Sequence, residues 1–139
     1  MEKTFKGYCV ISGECEGKIV VTSQAISFAG GVDPITGCIN DPRHELFGQS
    51  VSKKVLAFPF GKGSSATSLF LLELARVGKA PAAIINVRTE PILAAGAILS
   101  KHFYGKEIPI LNLDEKGFRA LKTGQRVFVN ATKGLLTII

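Results

Sequence analysis

Apolar residues follow two rhythms along this chain. Short unbroken apolar runs stand at VLAF (55–58), AAIINV (82–87) and IPILNL (108–113). Runs of that length without alternation predict strands buried on both faces of a sheet. Between them the spacing widens. Over residues 64–77 the apolar positions Leu69, Phe70, Leu71, Leu72, Leu74 and Val77 cover most of a helical cylinder, which predicts an internal helix stopped by Gly78 and Pro81. Residues 91–102 predict a second helix, with Thr89 or Glu90 as its cap and Pro91 in its first turn. Its small residues Ala94, Ala95, Gly96 and Ala97 allow a neighbour to approach closely. Asp114 is placed to cap a short helix ending near Lys122.

The flanks alternate instead. Residues 3–11 and 18–22 read as strands joined by the turn-like segment 12–17, and residues 126–131 pair with 135–139 across Thr132, Lys133 and Gly134. A short strand is expected over residues 26–29. Residues 30–50 are rich in Gly, Pro, Asp and Asn and lack periodicity; so long a segment is either functional or a surface excursion packed on its own side chains. Strand and helix alternate through the centre, which favours parallel pairing by right-handed crossovers. The fold class is therefore α/β: a layered sheet with βαβ units and an antiparallel β flank, formed by a single domain over residues 1–139.

Composition narrows the function classes. The 139 residues are 46% hydrophobic and 20% charged, as in a folded globular domain, and no apolar stretch is long enough to span a bilayer. Residues 1–4 lead straight into a strand pattern with no apolar signal core, so a cytoplasmic location is expected. Cys9, Cys15 and Cys38 lack metal-site spacing and are expected to be free thiols, so no metal is expected on this chain. The net charge of +6 favours an anionic partner. Without a basic run interleaved with aromatics, nucleic acid is not the expected one.

The segment FPFGKGSSATS (58–68) carries the candidate chemistry. It follows a buried strand and precedes a helix, the usual place for ligands in α/β sheets. Gly61 and Gly63 let the backbone approach a ligand, Lys62 adds a mobile positive charge, and helix-start amides suit a carboxylate or phosphate. A Walker loop fails, because Ala57 stands where its first glycine belongs and Gly63 follows Lys62. A dinucleotide loop over Gly61, Gly63 and Ala66 fits in spacing, but the chain is too short for a second mononucleotide half. Ser64 is either a helix cap or a base. A serine base needs its alkoxide stabilised, and no histidine adjoins it; His44 and His102 are distant in sequence. Arg88, just past a strand end, is an anion ligand or a solvated loop residue.

Five blocks in order, SFAGGVDPITG (27–37), FGQSV (47–51), FPFGKGSS (58–65), APAAI (80–84) and EPIL (90–93), resemble the swivelling small domain of aconitase X proteins over nearly the whole chain. Within that family the chain is most similar to the small subunits of archaeal phosphomevalonate dehydratases, and INVRTE (85–90) carries part of that likeness. The resemblance implies a swivelling β/β/α domain that closes over a large subunit holding a four-iron–four-sulfur cluster, in a heterodimer. It implies a hydro-lyase active only with that subunit, dehydrating (R)-5-phosphomevalonate to trans-anhydromevalonate 5-phosphate in the archaeal mevalonate route to isoprenoids. It places the base at Ser64, the first serine after the glycine turn; from their positions in and beside the loop, Gly61, Lys62, Gly63, Ser65 and Arg88 are expected to bind substrate. The alternatives are the small subunit of a cis-3-hydroxyproline dehydratase and a non-catalytic anion-binding module.

Overall fold

A computed structural model describes residues 3–62 and 64–139. One eight-stranded sheet organises them, in the order β1-β8-β7-β3-β4-β5-β6-β2. Its centre is parallel: β3 (Glu14–Val21), β4 (Val55–Ala57), β5 (Ala83–Asn86) and β6 (Ile110–Asn112) lie side by side. Antiparallel strands flank it. Strand β2 (Tyr8–Ile11) pairs with β6, while β7 (Arg126–Asn130), β8 (Leu135–Ile138) and β1 (Lys3–Lys6) extend the other side.

The apolar runs sit where their lack of alternation predicts. In β4, Val55 and Ala57 face one core while Leu56 faces the other; in β5, Ala83 and Ile85 oppose Ile84 in the same way. Both faces are covered, so neither can be polar. One core packs beneath α2 (Thr67–Arg76) and α3 (Pro91–Tyr104), and the second lies among β3–β8 and α4 (Glu115–Arg119). The helices approach closely, as the small residues suggest: a Cβ on Gly96 would lie 3.0 Å from Ser68 Cα. Glu90, not Thr89, caps α3, its carboxylate accepting from Ile92 N (2.8 Å) and Leu93 N (3.2 Å). Asp114 caps α4 by accepting from Gly117 N.

Three expectations are corrected. The strand expected over residues 3–11 breaks at Gly7, and its halves join opposite ends of the sheet. Gly7 N donates to Gly134 O at 2.7 Å, and a Cβ at Gly7 would fall 2.2 Å from Asn112 O, so a glycine is required where the chain crosses. The sheet thereby curls into a nearly closed barrel. Strand β3 begins at Glu14, since only Ser12 and Gly13 (φ 141°) separate it from β2, and β2 and β3 do not pair. The short strand expected at 26–29 is one bridge, Ile26 to Gly61, followed by the irregular turn α1 (Phe28–Gly31).

Residues 32–51 form a compact excursion. The bridges Val32–Ile39 and Cys38–Ser50 tie it together, and it buries Val32, Ile39, Leu46 and Val51 in the core beneath α2 and α3. It packs on its own side chains and also reaches the carboxyl ends of the parallel strands.

Candidate active site

Strands β3, β4 and β5 all end at one edge of the sheet, and the segments leaving them are bonded to one another. Asn86, fully buried at the end of β5, donates from Nδ2 to Phe58 O at 2.8 Å. Pro59 O accepts from Val87 N (3.0 Å) and Arg88 N (3.1 Å). Lys62 N donates to Ile26 O at 3.0 Å, where the chain beyond β3 runs beside Gly61. Residues 58–62 are thus held from both sides.

Ser64 is not the helix cap. Helix α2 begins at Thr67 with Ala66 at its cap position, and Ser64 stands ahead of it in a turn. Its Oγ accepts from Ala66 N at 3.2 Å and its carbonyl accepts from Thr67 N at 3.0 Å. An amide N–H donated to Oγ stabilises negative charge there, which is what a serine base needs. Among the described residues no imidazole or carboxylate bonds to Ser64 Oγ, so a serine–histidine–acid arrangement is not built here. Ser64 and Gly61 are half-buried, and Lys62 and Ser65 are exposed. Gly63, expected to bind substrate, lies outside the described residues. Arg88 is exposed but not free-standing: its guanidinium lies 5.9 Å from the Phe60 ring centroid, folded against the same loop.

Sequence reasoning missed a second group of residues. Lys62 shares a polar cavity of about 400 Å³ with Gln24, Ala25, Asp41, Arg43 and His44. Asp41 Oδ1 accepts from Arg43 N (3.0 Å), and Asp41 O accepts from His44 N (3.0 Å), a tight turn that fixes the Arg43 backbone. The Arg43 amide, and beyond it the charges of Arg43 and Lys62, hold the Asp41 carboxyl below the usual carboxylate range. His44 is a buried strut. Its Nδ1 accepts from Leu46 N and its Nε2 donates to Ala25 O, both at 3.1 Å, so its partners require the neutral ring. Glu45 N donates to Gln24 Oε1, and Thr22 Oγ1 donates to the Glu45 carboxylate, completing the seam. The sequence DPRH (41–44) is turn-like, but nothing local brings it to Lys62.

A larger cavity of about 570 Å³ lies toward the far end of α3, between Val10, Ala97, Ile98 and Ile108, crossed by the Lys101–Glu107 ion pair at 3.2 Å. It does not include the serine loop. The residues present do not fit a metal cluster: among the described residues no group of three or more His, Cys, Asp or Glu side chains could hold a metal. Cys9, Cys15 and Cys38 are free, and burial pushes the Cys15 thiol up to about 11, so it keeps its proton at neutral pH. No described helix is long and apolar enough to cross a membrane.

Known proteins share this fold over nearly the whole chain. The family model for the aconitase X swivel domain matches residues 4–138. The phosphomevalonate dehydratase small subunit of Archaeoglobus fulgidus is 45% identical over 131 residues, 94% of this chain and 94% of that protein. The protein of the same name from Methanosarcina mazei is 43% identical over 136 residues, covering 97% and 90%. The crystal structure of Thermococcus kodakaraensis aconitase X in its holo-form superposes with a TM-score of 0.89 at 39% identity, covering 99% of this chain and 98% of that one. The solution NMR structure of a UPF0107 protein superposes with a TM-score of 0.87 at 43% identity, covering 99% of each.

Proposed function

This chain belongs to the aconitase X swivel-domain family, and from that premise we propose that it is the small subunit of a phosphomevalonate dehydratase, with Ser64 as the base. The observation that carries this reading is the 43–45% identity, over nearly the full length of both chains, to small subunits of that name. Those names weigh against the hydroxyproline dehydratase and against a non-catalytic module. The small-subunit names and the exposed apolar side chains of Phe60, on the serine loop, and Phe47, three residues past His44, support a large partner subunit that covers this face. The complex is assigned to the cytoplasm.

In this reading the alkoxide form of Ser64 Oγ takes the proton from the carbon beside the substrate carboxylate and becomes the neutral hydroxyl. The electron pair of that C–H bond becomes the new double bond, and the C–O bond breaks as the hydroxyl leaves. The Ala66 N–H at Oγ lowers the cost of the alkoxide. Lys62, Ser65 and Arg88 are the donors toward an anionic substrate, and Gly61 keeps the backbone open to it. Aconitase-like chemistry draws on an iron–sulfur cluster as Lewis acid for the departing hydroxyl. We assign a four-iron–four-sulfur cluster to the large subunit, since the thiols of this chain are spread over β2, β3 and the excursion.

The test is turnover of (R)-5-phosphomevalonate by the two-subunit complex, with loss of one water followed by mass spectrometry. Ser64→Ala is expected to lower kcat by several orders of magnitude with little change in KM, because the lost contact belongs to the transition state. Ser65→Ala is expected to act mainly on KM. As Ser64 is not the cap of α2, the melting temperature of Ser64→Ala should stay close to that of the unaltered chain. Near-normal turnover by Ser64→Ala would remove it as the base.

A further inference from the structure

The cavity beside the serine loop is built for an anion. Two cations, Arg43 and Lys62, and one anion, Asp41, line it, leaving an excess of one positive charge. Asp41 spends one oxygen on the backbone of its own turn and lies 3.5 Å from Arg43 Nε. The rest of the Arg43 fork has no partner among the described residues, and its side chain is 93% exposed. Gln24 gives its carbonyl to Glu45 N and keeps its amide nitrogen for the cavity. His44 offers the cavity no ring nitrogen, because both are committed to backbone groups.

The frame around these donors is rigid where it must be. His44 anchors the Arg43 turn to Ala25, and Lys62 N is anchored to Ile26 O, so both cations spring from backbone tied to one strand exit. A planar guanidinium fork and a primary ammonium lining one cavity match the oxygens of a tetrahedral phosphate, the fork binding two of them side by side. Lys62 also lies two residues before Ser64, so an anion held here is held next to the proposed base.

Resting on the proposed function, we propose that the cavity between Arg43 and Lys62 receives the phosphate group of the substrate, making Arg43 the residue that selects a phosphorylated acid over its unphosphorylated counterpart. Kinetics of the two-subunit complex test it with phosphomevalonate and mevalonate side by side. Arg43→Ala should raise KM for phosphomevalonate by about tenfold to a hundredfold while kcat changes by less than about threefold. The preference for the phosphorylated acid, as a ratio of kcat/KM values, should fall by the same factor, and Arg43→Lys should recover part of it. An unchanged KM, or an equal loss on both acids, overturns the proposal.

A second measurement is independent of the reaction. Titration of the full chain with inorganic phosphate, followed by NMR, should shift the Arg43 Nε–H and Lys62 amide signals in a saturable way that sodium chloride does not reproduce and Arg43→Ala abolishes. Shifts spread over the surface, or identical in chloride, overturn the site. If the complex fails to turn over phosphomevalonate while phosphate still maps to Arg43 and Lys62, the site stands and the substrate assignment falls. If turnover is present and both Arg43 readouts are flat, the site falls alone.

Discussion

Asn86 is a polar side chain without exposed surface, standing at the end of an otherwise apolar strand. Its Nδ2 holds the Phe58 carbonyl, and its Oδ1 lies 3.0 Å from Thr89 Oγ1, which also reaches Asn112 Oδ1 at 2.6 Å. The one hydroxyl proton of Thr89 serves one of these acceptors at a time. Burial of an amide is tolerated only when it is bonded, so removing it leaves Phe58 O desolvated and unpaired. Asn86→Ala is expected to destabilise the fold by about 1–3 kcal/mol. Because Phe58 opens the serine loop, kcat of the complex should fall as well, with thermal melting and turnover as the two measurements. An unchanged melting temperature would show that the loop is held without it. In the sequence, one amide inside an apolar run is the only local sign of Asn86. The connection that carries Ser64, by contrast, was legible as a strand-to-helix loop because β4 and α2 are consecutive in the chain.

Among the elements, α3 depends most on a single terminal side chain. Glu90 accepts from two of its first amides, a task more often given to Ser, Thr, Asp or Asn, and Pro91 removes an amide that would otherwise need a partner. Glu90→Ala should cost about 1 kcal/mol, seen as a few degrees in the melting temperature, and Glu90→Asp should recover most of it. No change in melting would mean that packing of α3 on α2 alone sets its start. The helices and the parallel strands were readable because periodicity and burial are local properties of each segment. The start of α2 was placed three residues early, since a serine before an apolar helix has the pattern of a cap whether it caps or makes a turn. The excursion over residues 32–51 resisted prediction because its order comes from isolated bridges and five buried side chains without period. The cavity of Arg43 and Lys62 was illegible for a similar reason: its walls come from three segments that meet only when β3, β4 and the excursion are in place.

Across the whole molecule, closure of the sheet rests on Gly7. Any side chain there would press on the Asn112 carbonyl and on Leu113 Cδ2, 2.8 Å from the new Cβ. Gly7→Ala is therefore expected to cost about 3 kcal/mol or more and to lower the melting temperature by roughly 10 °C. Gly17→Ala is the matched control within a strand, where the added carbon meets Lys53 O and Val55 Cγ2 at an ordinary 3.7 Å. Equal melting temperatures for the two variants would count against the crossing as a packing constraint. A crossing of this kind cannot be seen from residues 3–11 alone, whose alternation is that of one continuous strand. The pairing of β1 with β8 has a separate consequence. Lys3 stands directly opposite Ile138, so the backbone near one end of the domain is about 5 Å from the backbone near the other. A tether fastened to either residue starts from the same point on the surface. Fusions made at either of these two strand ends would therefore leave this domain from one place on its surface.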